Sequence, residues 1–305
     1  MLYNVRMNSL LGENSYGARA GAIYSADVCF YIVISLIISL IIQGAGLTGD
    51  AAAYLGYFAS PIAICITLAL STKYLKTPLR AAAPIKCAPK YYLIAILAVF
   101  GLLFAISPLN SLFVQLLQLC GYMPAQSALP SPEGWGMMGC LVVIALLPAA
   151  VEELLFRGSI LYNANLGAGT VKSIFLTALL FSLYHGSVEQ TIYQFICGCV
   201  FALIALRSGS VLPSMLAHFL NNGIIIVLNG LSVVDESGNL PMTTWGYALL
   251  IVCAALSLAG ALAWLIIDKK PVRRGLDGET KSLFVWGGAG LLVMFLVWIL
   301  GLFSL

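Results

Sequence analysis

Long apolar runs alternate with short polar segments along this chain. Most of the runs are close to 20 residues, the length that an α-helix needs to cross a hydrocarbon core of about 30 Å. We expect crossings at residues 28–44, 51–71, 91–120, 136–156, 171–185, 191–206, 211–230, 243–267 and 283–305. The pattern therefore predicts an all-α fold, a polytopic transmembrane helical bundle of about eight to nine spans.

Two features of these runs suggest irregular helices. The third run is overlong and contains Ser107-Pro108, where a kink is expected because proline cannot donate a helical hydrogen bond. The fifth and sixth runs are near 15 residues long, so neighbouring helices could bury them without lipid at both ends. Residues 1–27 are expected to form a cytoplasmic N-terminal segment, and residues 28–305 a single transmembrane domain.

Composition supports the membrane assignment. Of the 305 residues, 61% are hydrophobic and only 9% are charged, against about 45–50% and about 25% in soluble globular chains. These values exclude nucleic-acid binding and intrinsic disorder. The eight cysteines are scattered without a C-x-x-C pair, which predicts buried free thiols rather than a disulfide framework.

The distribution of charge predicts the orientation. If nine crossings alternate, all fifteen Lys and Arg residues fall in segments on one side of the membrane. Basic residues in short loops favour the cytoplasm, so we expect a cytoplasmic N-terminus and an external C-terminus. The expected location, which the charges do not decide, is a bacterial plasma membrane. The charged residues of the intervening loops are all acidic, namely Asp50, Glu133, Glu189, Asp235 and Glu236.

Few ionisable residues interrupt the apolar runs. A charge at the centre of a membrane helix costs at least about 2.5–3.5 kcal/mol, so each one calls for a function or a partner. They are Glu152, Glu153, His185 and His218, with Arg157 near the end of its run. This group includes both histidines of the protein.

The two adjacent glutamates are expected to differ in their surroundings. Glu153 and Arg157 are four residues apart, so they share a helix face and can form an ion pair. Glu152 is rotated by about 100° from Glu153 and has no obvious local partner. An alternative is that Pro148 ends the helix and that both glutamates lie in a loop at the membrane edge.

The histidines complete a set suited to hydrolysis. His218 and Asn222 are four residues apart on one helix face, whereas His185 ends an apolar run. A desolvated Glu152 can activate water as a general base, while imidazole and amide groups orient the water and stabilise the oxyanion. Glu152, His185 and His218 could instead bind zinc, with water as a fourth ligand, although no H-E-x-x-H motif is present.

Three ordered motifs carry a resemblance to a known family. Glu152-Glu153-Leu-Leu-Phe-Arg157 reads as E-E-x-x-x-R, Phe181-Ser-Leu-Tyr-His185 as F-x-x-x-H, and His218-Phe-Leu-Asn-Asn222 as H-x-x-x-N. With these motifs the chain resembles the CAAX protease and bacteriocin-processing (CPBP, or Abi) family of intramembrane proteases, which is type II CAAX prenyl endopeptidase-like.

The resemblance implies an intramembrane endopeptidase with its catalytic core at about residues 136–230. It implies that Glu152 is the base that activates water and that His185, His218 and Asn222 complete the site. By the same resemblance, a set of three residues has a supporting role: Glu153, Arg157 and Phe181. The family core has about eight helices, so the first span here would be an addition.

The resemblance also bears on cofactors and partners. Family members are often called metalloproteases, whereas the eukaryotic CAAX enzyme is regarded as acting without a bound metal. We therefore expect no permanent cofactor, with zinc at Glu152, His185 and His218 as the open alternative. The expected partners are a peptide or prenylated protein substrate and membrane lipid, and no nucleic acid.

A proton-coupled transporter that uses the same buried Glu and His residues is the main alternative function, although no internal repeat is evident. A catalytically inactive scaffold is a third alternative.

The expected depths of the site residues present a difficulty for the protease hypothesis. Counted from Lys172, His185 lies about 20 Å deep, whereas Glu152 and His218 are expected at about half that depth, so we expect either a fifth helix that begins outside the hydrocarbon or a deep water-filled chamber.

Overall fold

A computed structural model describes residues 15–75, 77, 86–124, 129–233, 240–268 and 272–303. The chain in these ranges is helical and contains no strand. In chain order, the helices are α1 (Tyr16–Gly44), α2 (Gly49–Tyr74), α3 (Lys90–Leu119), α4 (Trp135–Gly167), α5 (Thr170–Tyr184), α6 (Thr191–Ser208), α7 (Leu212–Gly230), α8 (Thr244–Ile267) and α9 (Glu279–Phe303).

Eight of these helices are long and apolar enough to cross a membrane, and α5 is a shorter apolar helix. The predicted all-α transmembrane bundle is confirmed. The predicted start of the first helix is wrong, because α1 begins at Tyr16 and includes twelve residues that were expected to precede it. Small residues dominate this added segment, and many of them are buried by close helix packing. Such residues have low hydropathy, so the apolar pattern does not reveal this part of the helix.

The close packing joins α1 to α9. A Cβ atom added to Gly21 would lie 2.3 Å from the backbone oxygen of Leu283, so only glycine allows the two backbones to approach this closely. One turn of helix further on, Ser25 Oγ donates to the carbonyl of Trp286 at 2.7 Å. Residue numbers increase in the same direction in both helices along these contacts, so α1 and α9 are parallel.

Glu279 fixes the first turn of α1. Its carboxylate accepts hydrogen bonds from the backbone N–H of Gly17 and from the hydroxyl of Ser15. A carboxylate at a helix N-terminus satisfies N–H groups that have no partner within the helix. The first and last helices therefore begin side by side at one end of the bundle.

The loops that carry basic residues meet at this same end. The N–H of Leu276 donates to the carbonyl of Gly167 at 2.8 Å, which joins the α4–α5 turn to the segment before α9. Asp268, after α8, forms a 3.0 Å ion pair with Lys90 and accepts a 3.2 Å hydrogen bond on its carbonyl from Arg207. For the described loops, this arrangement agrees with the predicted sorting of charge, while the cytoplasmic location of this end stays a prediction.

Part of the predicted charge distribution lies outside the described residues. These residues are Arg6, Lys76, Arg80, Asp235, Glu236, Lys269 and Lys270.

Proline leads to widened turns rather than helix ends. Pro148 follows a π-helical segment at Leu141–Leu146, and the helix continues through it as Leu147–Glu153. Pro108 likewise follows a π-helical segment, at Leu102–Ile106. A π turn gives room for the proline ring, which would clash with the preceding turn of a regular helix. The two glutamates therefore lie within α4, and the loop alternative is wrong.

The length of α4 also corrects the predicted depths. Its predicted end was residue 156, but it continues to Gly167, so Glu152 lies about 22 Å from the helix end. His185 directly follows α5, which begins at Thr170. It is as many residues from the start of α5 as Glu152 is from the end of α4. The two side chains therefore lie at one level, and the estimate that Glu152 is half as deep as His185 is wrong.

The cysteines are free thiols in the structure, as expected. Only Cys140 and Cys197 are buried, whereas Cys29, Cys65, Cys120 and Cys253 are exposed on the helix surfaces. The expectation that they are buried is wrong for these four residues. An apolar thiol is equally compatible with the lipid-facing surface of a membrane helix.

We predict that Gly21→Ala destabilises the bundle. A Cβ atom at Gly21 would lie 2.6 Å from the backbone nitrogen of Gly287, and overpacking of this kind costs about 1–3 kcal/mol. The matched control is Gly288→Ala, since nothing lies within 4 Å of a Cβ atom added there. Thermal unfolding in detergent should give a lower apparent Tm for Gly21→Ala alone, and equal values would contradict the close packing of α1 on α9.

Candidate active site

Glu153 lies at the centre of a buried ionic cluster. Its side chain is fully buried, and Oε1 accepts hydrogen bonds from Arg157 Nη1 at 2.8 Å and from His218 Nδ1 at 3.1 Å. The predicted pair between Glu153 and Arg157 is confirmed. The bond from α7 adds a second role, since Glu153 also orients His218.

Aromatic rings accommodate the buried guanidinium of Arg157. Its Cζ lies 4.2 Å from the ring centroid of Phe181 and 5.5 Å from that of Phe201. Its Nη2 also donates to the carbonyl of Gly198 at 3.4 Å. Ring faces attract a desolvated cation, so α5 and α6 help to offset the cost of burying Arg157.

Phe181 connects this cation to both histidines. Its ring meets His185 edge-to-face at a centroid distance of 4.8 Å and His218 at 5.8 Å. The ring also packs edge-to-face on Phe156 at 5.1 Å. Since it is fully buried among these groups, Phe181 fixes the relative positions of the two imidazoles.

The end of α5 determines how His185 is presented. Its Nδ1 lies 2.8 Å from the carbonyl oxygen of Phe181, which has lost its helical partner because the helix ends at Tyr184. A carbonyl can only accept, so Nδ1 carries the proton and donates. Nε2 of a neutral His185 is thereby left as an acceptor for water or substrate.

His218 is fixed by an analogous bond to Glu153. A carboxylate that accepts from Nδ1 selects the tautomer and stabilises the imidazolium if Nε2 gains a proton. The His218 ring also stacks on Phe201 at 5.7 Å. The remaining nitrogen, Nε2, accepts a proton or a hydrogen bond in the neutral ring, and it donates to a developing anion only in the imidazolium.

Glu152 differs from its neighbour. Only 8% of the residue is exposed, and among the described residues Oε2 of each glutamate has no hydrogen-bond partner. Glu152 differs because it also lacks the ion pair and the imidazole bond that Glu153 makes through Oε1. Its carboxylate acts electrostatically on His185 and Arg157. The residue predicted as the base is therefore a buried carboxylate with a free oxygen, close to the histidine that presents an acceptor nitrogen.

Asn222 is held by a chain of hydrogen bonds across three helices. Tyr193 Oη donates to Asn221 Oδ1 at 2.6 Å, and Asn221 Nδ2 donates to Asn222 Oδ1 at 3.1 Å. Asn222 Nδ2 in turn lies 3.5 Å from the carbonyl oxygen of Ile144. Pro148 has no N–H to offer this carbonyl, so the proline that widens α4 also provides an acceptor for Asn222.

The sequence analysis missed two residues of this hydrogen-bonded series, Asn221 and Tyr193. Asn221 was passed over because only its neighbour fits the H-x-x-x-N spacing, although the Asn221-Asn222 doublet is visible in the sequence. Tyr193 gave no signal, since nothing in the sequence indicates that α6 packs beside this part of α7.

A shared metal ion does not fit the described residues. No three His, Cys, Asp or Glu side chains among them are grouped closely enough to hold one. Glu153 is already engaged by a guanidinium and an imidazole. We therefore derive no step through a metal from this arrangement.

We predict that Arg157→Met destabilises the protein strongly. It would leave Glu153 as a buried charge without its principal counter-ion, a change that costs about 3–5 kcal/mol. The double variant Glu153→Gln with Arg157→Met removes both charges and should recover part of the loss. Denaturant unfolding in detergent measures both effects, and a wild-type stability of Arg157→Met would contradict the proposed charge balance.

Comparison with known families places these residues in a recognised segment. Residues 134–224 match the family model for Type II CAAX prenyl endopeptidase Rce1-like proteins. The match begins at the start of α4, ends within α7 and contains every predicted site residue. No curated protein and no solved structure matches the chain significantly. The resemblance inferred from the three motifs is thus confirmed over this segment, and its match to the Rce1-like family of type II CAAX prenyl endopeptidases indicates a membrane protease.

Proposed function

We propose that this protein is an intramembrane endopeptidase that hydrolyses a peptide bond with water activated by Glu152. The observation that carries the proposal is the contrast between two adjacent glutamates. Glu153 is held through Oε1 by an ion pair with Arg157 and a hydrogen bond with His218. Glu152 forms no such ion pair among the described residues, and its buried Oε2 has no hydrogen-bond partner among them. Paired acids in different environments are suited to different roles, one structural and one as a base.

In the proposed reaction, Glu152 carries one proton from the attacking water to the leaving nitrogen. The carboxylate takes a proton from water while the water oxygen bonds to the peptide carbonyl carbon, and the carbonyl electron pair moves onto its oxygen. Collapse of this tetrahedral oxyanion breaks the C–N bond. The proton held by Glu152 passes to the leaving nitrogen, so that the products are a carboxylic acid and an amine.

The other site residues act around this step. In the tautomer set by Phe181, Nε2 of His185 accepts a hydrogen bond from the attacking water and orients it. His218 acts as an imidazolium that takes its second proton from solvent before the reaction and keeps it throughout, so that Nε2 donates to the oxyanion while Glu153 stabilises the positive charge. The second amide proton of Asn222 is also available for a hydrogen bond to the oxyanion. Removal of one such donor typically costs about 3–4 kcal/mol of transition-state stabilisation.

The family match suggests the class of substrate. We propose that the enzyme cleaves a peptide or protein, with a prenylated CAAX-type C-terminus as the first candidate, while membrane lipid surrounds the bundle. We further propose that the end of the bundle with the basic loops faces the cytoplasm of a bacterial plasma membrane. The mechanism uses no cofactor and no metal ion.

We predict that Glu152→Gln abolishes cleavage. The variant keeps the shape of the side chain but cannot accept the proton, and loss of a general base costs about 10²–10⁴ in rate. The assay follows purified protein in proteoliposomes with a farnesylated CAAX peptide and its unprenylated form. The matched control is Glu133→Gln, an exposed glutamate before α4, which should cleave at the wild-type rate.

Other outcomes would decide against parts of the proposal. Full cleavage by Glu152→Gln contradicts Glu152 as the base. Loss of cleavage with a chelator, restored by added zinc, contradicts the metal-free mechanism. Proton-coupled uptake of a solute without cleavage of either peptide would favour the transporter.

A further inference from the structure

Asp27 is a second buried acid beside the proposed site. It lies in α1 with no exposed surface, outside the segment that matches the family model. The sequence analysis missed it because Asp27 directly precedes the apolar run expected to begin at residue 28. The earlier start of α1 places this carboxyl group inside a membrane-crossing helix.

The surroundings of Asp27 are polar but leave it unsatisfied. The hydroxyls of Thr67 and Tyr184 lie beside its carboxyl group, yet neither carboxyl oxygen has a hydrogen bond of good geometry within the described part of the chain. The same holds for the buried oxygens of Tyr24 and Thr67. Asp27 also takes part in none of the ion pairs formed by the described residues.

Tyr184 links this polar group to the catalytic residues. Its hydroxyl interacts with the charges of both Asp27 and Glu152 and is fixed by a 3.2 Å hydrogen bond with Ser60 of α2. Its ring packs on Phe156 at 5.4 Å, and the next residue in the chain is His185. Glu152 and Asp27 also interact with each other electrostatically.

Two open pockets lie along α1 near this group. One of about 370 Å³ is lined by Thr67, Ser71 and Tyr74 together with apolar residues of α1. The other, of about 530 Å³, is lined by Tyr31, one helical turn beyond Asp27, and by Asp50. The first pocket borders Thr67, and both pockets are large enough for several water molecules.

We infer that Asp27 is a positioning residue of the proposed active site and acts through Glu152. The inference rests on the proposed function. Water molecules that hydrogen bond to Tyr24, Asp27 and Thr67 join the hydroxyl of Tyr184 in one unit, which orients the free oxygen of Glu152 and keeps water beside it. The first helix thus contributes to catalysis without contact with the substrate.

The energetics favour function over stability as the reason for this carboxyl group. A buried acid without a cation or satisfied hydrogen bonds destabilises a fold. A purely structural position would be more stable with an amide or an apolar group. Retention of such a cost is typical of active sites, where activity is gained at the expense of stability.

The test compares Asp27→Asn with wild type in peptide cleavage and in thermal unfolding. We expect kcat to fall about 10–100-fold, as for other residues that orient a catalytic group, with KM within about twofold. The apparent Tm should rise by about 2–4 °C, since an unsatisfied buried acid is removed. A merely structural residue would give the opposite result, a lower Tm with an unchanged kcat per folded molecule.

Val28→Ala is the matched control, because Val28 is the fully buried neighbour of Asp27. Its truncation should lower the apparent Tm and leave kcat unchanged. The inference is overturned if Asp27→Asn retains full kcat while Glu152→Gln is inactive, or if Asp27→Asn lowers Tm as Val28→Ala does.

A second measurement needs no substrate and separates this inference from the proposed function. Asp27→Asn and Glu152→Gln each relieve repulsion between the same two acids, so their Tm increases should sum to more than that of the double variant. Additive increases would overturn the coupling of Asp27 to Glu152. Cleavage by Glu152→Gln would instead overturn the proposed function, and the Tm comparison would still decide whether the two acids are coupled.

Discussion

The architecture of the site depends on how one buried anion is neutralised. Glu153 has no exposed surface, and a carboxylate in such a place is tolerated only with close counter-charges and hydrogen bonds. Arg157 supplies one charge from the same helix, and His218 supplies a hydrogen bond from α7. The rings of Phe181 and Phe201 then cover the guanidinium from α5 and α6. Four helices are thus brought into a fixed relation by a single carboxylate.

This neutralisation leaves the adjacent acid available for chemistry. A rotation of about 100° per residue directs Glu152 away from the cluster that satisfies Glu153. Both residues share the same backbone and nearly the same burial, so the difference between them arises from their neighbours alone. The π-helical segment at Leu154–Ile160 directly follows the pair, and such segments often occur where a functional side chain must be directed away from regular packing.

The sequence analysis succeeded where hydropathy and helical spacing are sufficient. It predicted the bundle, the pair of Glu153 with Arg157 and the three motifs, because each depends on residues close together in the chain. Its errors in helix bounds share one cause, which is that a charged residue was taken as the edge of a membrane helix. Arg157 marked the expected end of α4 and Asp27 preceded the expected start of α1, yet both are buried inside helices.

Those errors could not have been avoided from local pattern alone. The partners that allow Arg157 to be buried in mid-helix include the rings of Phe181 and Phe201, which are distant in sequence. The added turns of α1 are held by the backbone of α9 at Gly17 and Gly21, from the opposite end of the chain. Interactions of this range appear only once the helices are assembled.

The same long-range packing makes α1 a wall of the site rather than an appendage. Tyr24 and Val28 pack in one core with Leu155, Phe156 and Phe181, so the inner face of α1 lies against the helices that carry Glu152 and His185. The parallel contact with α9 fixes the axial position of α1, and thereby the level of Asp27 relative to Glu152. A core of helices α4 to α7 can supply the motif residues, but Asp27 and the hydroxyl of Thr67 beside it come from α1 and α2. On the proposed function, α1 therefore forms one wall of the site, and the glycines that hold it against α9 set the level of that wall.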